Sequence, residues 1–523
     1  MNARQAGWLG LVVAAVLGVF STSWDYPFIT LDDPIYVSKN PAVLAGLSWD
    51  GLVWAFTTSN SGHYTPLTWL SLQFDASLFG PGPGGFRLTN IALHGLTAVL
   101  LCIALVRLRV SVGLAALASL LFALHPLRVE SVVWVTERKD VLSGFFGVLA
   151  CLFDLKFSAT KRWGWFVLAT LALVAACLAK PMMVTLPAAF VLLRLLSSEP
   201  TWPSTKRLAL QWGVWVAVVI PIAAVSMALG RATGSTSGLK GMGALALLSD
   251  VPRRFGLYGA KTLWPSDLSV LYPKVAAPST WELALGGFAL VAAVPLGWLV
   301  FKRAPLVMWG ITWFAVALLP VIGCVPLGFH DIADRFTYWP HIGLIPALVV
   351  AVHRGVPERI RWVTGAVAVL GYGSVTLARI PSWSSPVQLY SDALALSPDN
   401  YLMRTARAEA LRQQGDWATS LKDLQHLEGL GPPFPAQLQS TLGLTLAVLG
   451  RWDEAEARFE AAENSSVAEA YDFNHHALAL TLVSRDAEAM GVLRRAQARG
   501  LNDDKTDIML ADLERRVNST AAP

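Results

Sequence analysis

Long apolar runs separated by short polar loops dominate the chain from Trp8 to about Ile380, and there the pattern stops. A hydrocarbon core roughly 30 Å thick calls for about 20 consecutive apolar residues in a helix. Runs near this length occur around residues 7–22, 88–106, 110–127, 141–157, 163–180, 181–197, 208–229, 281–301, 305–325, 336–352 and 362–380. They predict about eleven membrane spans by the length criterion. The first follows Arg4 like a signal sequence, but no small-residue cleavage site is clear, so it reads as a retained helix. Residues 241–273 break the pattern with Arg253, Arg254, Lys261 and Asp267 and read as a re-entrant or interfacial helix.

From about Pro381 to Pro523 the pattern becomes that of a soluble helical array. Gly415-Asp416-Trp417 recurs as Gly450-Arg451-Trp452, and Ala455, Phe459 and Ala462 recur as Ala489, Leu493 and Ala496. These offsets are close to the ~34-residue tetratricopeptide period. Small residues let paired helices approach while Leu and Phe fill the seam, so about three repeats and a terminal helix over residues 505–517 can bury a continuous core. The expected architecture is all-α: a polytopic membrane helical bundle over residues 1–380, followed by a tetratricopeptide-repeat α-solenoid over residues 381–523.

Composition agrees with a membrane protein: 54% of the 523 residues are hydrophobic and 15% charged, and the mean hydropathy is +0.49. The net charge of +5 is spread over short loops rather than gathered in a basic groove, which argues against nucleic acid as a partner. Arg107 and Arg109, Lys156, Lys161 and Arg162, Lys206 and Arg207, Lys302 and Arg303, and Arg354, Arg359 and Arg361 fall in alternate loops on the side of Arg4. The positive-inside rule makes that side cytoplasmic and puts the C-terminal array outside. Cys102, Cys151, Cys177 and Cys324 each sit inside an apolar run, without metal-type spacing or a disulfide framework.

Candidate chemistry lies in the loops assigned to the outer side. Asp32-Asp33, in Leu31-Asp32-Asp33-Pro34-Ile35-Tyr36-Val37, follows the first span. Two adjacent carboxylates beside apolar and aromatic neighbours need water or a cation; the alternative is a solvated Asp-Pro turn. The long first loop also carries an amphipathic, tryptophan-rich run suited to the membrane interface. Arg87, Arg138, Lys139, Lys180 and Arg335 stand near helix ends on this same side, where they meet either local carboxylates or a bound anion. His125 and Glu137 lie in the second outer loop, and Asp334 and Tyr338 in a later one. His125 or His330 beside an acid imitates a metal site, but no multi-histidine spacing supports one.

Together, the Leu31–Val37 motif, Pro66-Leu67-Thr68-Trp69-Leu70, the stretch from Leu124 through His125 and Glu130 to Val135, Glu137-Arg138-Lys139-Asp140 and Ala333-Asp334-Arg335-Phe336-Thr337-Tyr338 resemble the transmembrane and tetratricopeptide-repeat O-mannosyltransferase family and its bacterial relatives. The resemblance implies a C-type glycosyltransferase fold with an acidic motif in the first outer loop and a polyprenyl-phosphate-linked sugar as donor. By analogy with the first acid of that motif, Asp32 is the candidate base, with Asp33 orienting it or the acceptor. Arg138, Lys139 and Arg335 are candidates for the donor phosphate, and His125, Glu137, Asp334 and Tyr338 for other site roles. Cations that stabilise the leaving phosphate make a metal unnecessary, though a divalent ion stays open. The expected reaction is inverting transfer of a hexose such as mannose to a hydroxyl of a protein or glycan outside the cytoplasm, with the repeats recruiting the acceptor. The expected setting is a bacterial inner membrane with a periplasmic active side, the alternative being an endoplasmic reticulum membrane with a luminal one. A non-enzymatic repeat scaffold and a lipid-linked sugar transporter are the alternatives. The repeat array is shorter than in the animal members, and no motif fixes the donor as mannose.

Overall fold

The computed structural model describes residues 3–196, 205–233, 244–274, 280–282, 284, 286–287, 305–323, 330–431 and 434–520. Among them the chain is helical, with a single isolated β pairing between Pro273 and His330. It divides into two compact units, Met1–Ser385 and Pro386–Pro523.

In the first unit six described helices are long and apolar enough to cross a membrane: Ala3–Ser23, Pro83–Arg107, Val135–Thr160, Leu208–Ala232, Asp334–Gly355 and Ile360–Trp383. The helices Val112–Ala123 and Pro126–Val133, bent by 58° at their junction, form a seventh if counted as one broken span. The chain is therefore an integral membrane protein. The expected count of about eleven is not reached among the described residues, because Trp163–Ala179, Pro181–Arg194 and Leu306–Leu318 are shorter and the run near 281–301 lies mostly outside them. Cys102, Cys151 and Cys177 are buried free thiols; Cys324 lies outside the described residues.

The break at Leu124-His125 shows how irregular backbone is tolerated here. Pro126 cannot donate to the ladder, so the freed groups need side-chain partners. Thr376 Oγ1 donates to the Leu124 carbonyl at 2.7 Å. His125 Nδ1 accepts from the Leu127 N–H at 3.2 Å, which leaves Nε2–H to donate to the Thr262 carbonyl at 2.9 Å. Residues 244–263, expected to be re-entrant or interfacial, form a helix held by charge. Its Arg253 grips both Asp331 oxygens at 2.8 and 2.7 Å while Arg254 Nε reaches one of them at 2.9 Å. Close packing elsewhere uses glycine: a Cβ on Gly310 would stand 2.6 Å from the Gly343 carbonyl oxygen, so the helices carrying them touch through backbone.

The second unit is a run of short helices, from Pro386–Leu396 to Asp504–Thr520, in which consecutive members pack against each other. Ala455, Phe459, Ala462, Ala489, Leu493 and Ala496 are fully buried in its seams. Gly415 and Gly450 turn the chain between paired helices with φ of +83° and +78°. About 34 residues further on, Ser484 occupies the same left-handed region at φ 63°. The expected terminal helix is present as Asp504–Thr520.

Candidate active site

Two buried side chains tie the start of the first loop to the segment before the Arg138–Thr160 helix. Arg87 is fully buried and spends its fork on backbone carbonyls: Nε on Val133 at 2.8 Å, Nη1 on Tyr26 at 2.5 Å and Nη2 on Pro27 at 3.2 Å. Of the partners expected for it, a local carboxylate is near, since Asp33 lies within electrostatic reach, but these hydrogen bonds go to backbone. Asp33, also fully buried, accepts from Ile29 N–H at 2.7 Å, Thr136 N–H at 3.0 Å and Thr136 Oγ1 at 2.5 Å. Of the acid pair, Asp33 is thus a clip. Asp32, its half-buried neighbour, is left within electrostatic reach of Lys139 and Arg335.

Those two cations belong to a cluster centred on the buried Glu137. Lys139 Nζ lies 3.4 Å from one Glu137 oxygen, Arg335 Nε 3.4 Å from the same oxygen, and Lys180 Nζ 3.5 Å from the other. Arg335 is also bound to Glu130, through its backbone N–H at 2.9 Å and its guanidinium at 2.5 Å. Lys180 pairs with Asp140, whose other oxygen accepts from Ser131 Oγ at 2.9 Å. Aromatic faces line the cations: Tyr36 under Lys139 at 4.6 Å, and Trp134 and Phe336 beside Arg335 at 5.6 and 5.3 Å. Lys180 enters because its helix ends one residue earlier and Thr68 Oγ1 donates to the Ala179 carbonyl at 2.9 Å, fixing that end. The Lys139 and Lys180 contacts with Glu137 are longer than ordinary hydrogen bonds, so their ammonium groups keep donors to offer an anion. His63, on the loop before the Pro66–Phe79 helix, lies within electrostatic reach of the same three cations.

The remaining expected residues lie elsewhere. Arg138 points away from Glu137 and is fully engaged: with Asp75 at 2.5 Å, Asn90 at 2.5 Å, Ser71 at 2.7 Å and the Phe86 carbonyl at 2.6 Å. It is a buried structural cation, and the phosphate role expected for it has no geometric support. His125 closes the helix break described above. Asp334 accepts from Tyr272 Oη at 2.8 Å. Tyr338 bonds His94 Nδ1 at 2.9 Å within a buried aromatic group that includes Phe122. Of the expected set the fold brings together Asp32, Glu137, Lys139 and Arg335, with Asp33 as their anchor. It adds Lys180, Glu130 and Asp140, whose sequence signal was charge at the ends of apolar runs.

Burial pushes the Asp33 carboxyl up to about 6 against the pull of Thr136, Ile29 and Arg87. Because the shift is upward, folding favours the protonated form. Stability therefore falls as pH rises from about 4 to 6, and the full penalty applies above that. Below about 6 a proton occupies an oxygen that Thr136 or Ile29 needs, and the clip loosens. Turnover at this site is accordingly expected to fall on the acid side with a midpoint near 6, and Asp33→Asn should erase that limb. Initial rates across about pH 5 to 8 for both proteins check this; an acid limb retained by the variant rules Asp33 out as its source.

No protein-family model matches the chain. It is similar to protein O-mannosyl-transferase TMTC2 of Mus musculus, 28% identical over 175 residues, or 30% of this chain and 20% of that protein. It is 33% identical over 167 residues to protein O-mannosyl-transferase TMTC4 of Homo sapiens, covering 28% and 22%. A longer match, 23% identical over 456 residues, joins it to protein O-mannosyl-transferase TMTC3 of Mus musculus and covers 77% and 48%. The aligned region spans about a fifth of the first of these relatives and about half of the last. Among solved structures, ArnT from Cupriavidus metallidurans bound to undecaprenyl phosphate aligns with 95% of this chain and 81% of its own, at 16% identity and a TM-score of 0.38. By sequence, then, the chain is similar to the protein O-mannosyl-transferases, the family its motifs resemble.

Proposed function

We propose that the chain is a membrane glycosyltransferase that moves a sugar from a polyprenyl-phosphate donor to a hydroxyl of a protein or glycan acceptor on the extracytoplasmic side. The observation that carries this reading is the half-buried Asp32 within electrostatic reach of Lys139 and Arg335, two of the three cations that Glu137 gathers with Lys180. Asp32 takes the acceptor's hydroxyl proton as that oxygen bonds to the anomeric carbon. The bond from that carbon to the phosphate oxygen breaks, and its electron pair leaves on polyprenyl phosphate. Charge grows on the departing phosphate, so cations fixed beforehand lower the barrier. Arg335, held in place by Glu130 and Glu137, turns a planar guanidinium to the phosphate, while Lys139 and Lys180 act as point charges. Glu137 holds the three together when the donor is absent.

With a single carboxylate, Asp32, serving as base, attack from the face opposite the leaving group would invert the anomeric centre. The names of the relatives favour mannose as the sugar and a protein as the acceptor. The helical repeats of the second unit would recruit that acceptor and raise its effective concentration.

The test is transfer of radiolabelled sugar from a panel of polyprenyl-phosphate sugars by the purified protein in liposomes, with the product's anomeric configuration read by NMR. No label from any donor, or product retaining the donor's configuration, defeats this reading. Lys180→Met is expected to lower transfer about 10²-fold, as for loss of one transition-state donor, and Lys180→Arg to recover part of it. A Lys180→Met protein with the wild-type rate removes this lysine from the phosphate site.

A further inference from the structure

On the lipid-facing side of the first unit, the helices Val112–Ala123, Ala244–Leu263, Tyr338–Gly355 and Glu358–Arg379 enclose an apolar groove of about 180 Å³. Its walls are Leu117, Leu121, Ile345 and Val349, and Gly365 forms part of the lining where a Cβ would press within 2.7 Å of Leu117. Arg361 stands at one end and Tyr372 at the other. They are eleven residues apart on one helix, a rise of about 16 Å, which matches half of a hydrocarbon core roughly 30 Å thick. The groove is therefore about one leaflet long.

Its two ends differ. At the Tyr372 end the polar groups serve each other: Tyr372 Oη donates to the Thr262 and Leu263 carbonyls at 3.0 and 3.2 Å, and His125 Nε2 donates to Thr262. At the other end Arg361 is the one charged side chain, and no carboxylate stands, among the described residues that line the groove. Its Nη1 meets His353 Nε2 at 2.8 Å, and its buried Nε has no hydrogen-bond partner. The adjacent Trp362 lies against Gly113, at the start of the helix that follows Arg107 and Arg109, so this end carries several arginines and an interfacial tryptophan. The rims are apolar and open, with Val352 and Leu263 both largely exposed.

We infer that the groove is a binding site for an anionic phospholipid, whose acyl chain lies along Leu117, Leu121 and Val349 and whose phosphate is held by Arg361. Charge complementarity selects the anionic headgroup, and the apolar walls and one-leaflet length select the chain. The site is separate from the Glu137 cluster and stands whether or not the chain transfers sugar.

Liposomes containing the protein and a phospholipid with a diazirine in its acyl chain test this, the labelled peptides being mapped by mass spectrometry. Phosphatidylglycerol is expected to label residues 114–121 and 345–352 severalfold more than phosphatidylcholine. Arg361→Gln should bring it down to the phosphatidylcholine level. Ala368→Trp, which fills the groove, should remove labelling by both lipids there while leaving that of the Leu208–Ala232 helix unchanged, a control for folding that does not depend on Arg361. Equal labelling by the two lipids, no response to Arg361→Gln, or displacement of phosphatidylglycerol by an equal amount of unlabelled polyprenyl phosphate would each overturn the assignment.

Discussion

Asp32→Asn is expected to lower sugar transfer by about 10² to 10⁴-fold, the range supplied by a positioned general base, with no change in the unfolding temperature. The two halves of that expectation have different origins. Asparagine keeps the shape of the side chain but cannot accept the hydroxyl proton, so the chemical step suffers. The fold is spared because Asp32 is half-buried and the structural work of the pair falls on Asp33, which accepts three hydrogen bonds from Ile29 and Thr136. Substitution away from such anchors shifts stability by about 0.5 kcal/mol or less. The measurement is single-turnover transfer alongside thermal unfolding in the same detergent. A variant that transfers at the wild-type rate would move the base elsewhere, with His63 next to be tested because it lies within electrostatic reach of the same cations.

Arg138→Met should have the opposite signature, a large loss of stability. Removing one partner of a buried ion pair leaves the other charge uncompensated, at about 3 to 5 kcal/mol. Arg138 and Asp75 are both fully buried, and the change also strips Asn90, Ser71 and the Phe86 carbonyl of a donor. Asp75→Leu added to Arg138→Met should restore part of the loss, because the stranded carboxylate is then gone. Unfolding curves of the two variants and the wild type decide the matter. If Arg138→Met unfolds like the wild type and instead weakens donor binding, Arg138 returns to the phosphate site.

That arginine also shows where the sequence was hard to read. Arg138 and Lys139 are adjacent at the start of a helix, and adjacent helical residues point about 100° apart, so both could not face one ligand. Which of them faced inward depended on Asp75 and Glu137, and only the three-dimensional packing brings Asp75 to Arg138. The cluster's location was legible because charges at the ends of apolar runs are costly unless they meet. Lys180 stood among those charges but had no local motif to join it to Glu137, which precedes it by a full helical hairpin.

The same limits apply to the fold. Apolar runs marked the helices well, but they do not separate full-length spans from shorter apolar helices among the described residues, since Trp163–Ala179 has the right composition at only 17 residues. The Leu124-His125 break was invisible as a bend because the partners that permit it, Thr376 and Thr262, are remote in sequence. In the second unit the glycines at 415 and 450 announced their turns. The third turn did not, because Ser484 adopts the left-handed conformation in place of glycine.

The carbonyl clamp of Arg87 has a consequence for how this chain can diverge. It recognises backbone oxygens of Tyr26, Pro27 and Val133, which every residue at those positions supplies regardless of side chain. The entry to the first loop is thus moored in a way that substitution at the moored positions does not cut. Variation at those three positions leaves the acceptors of the clamp unchanged. A lineage of such proteins can therefore exchange the side chains at the entry to this loop while Asp32 keeps its place.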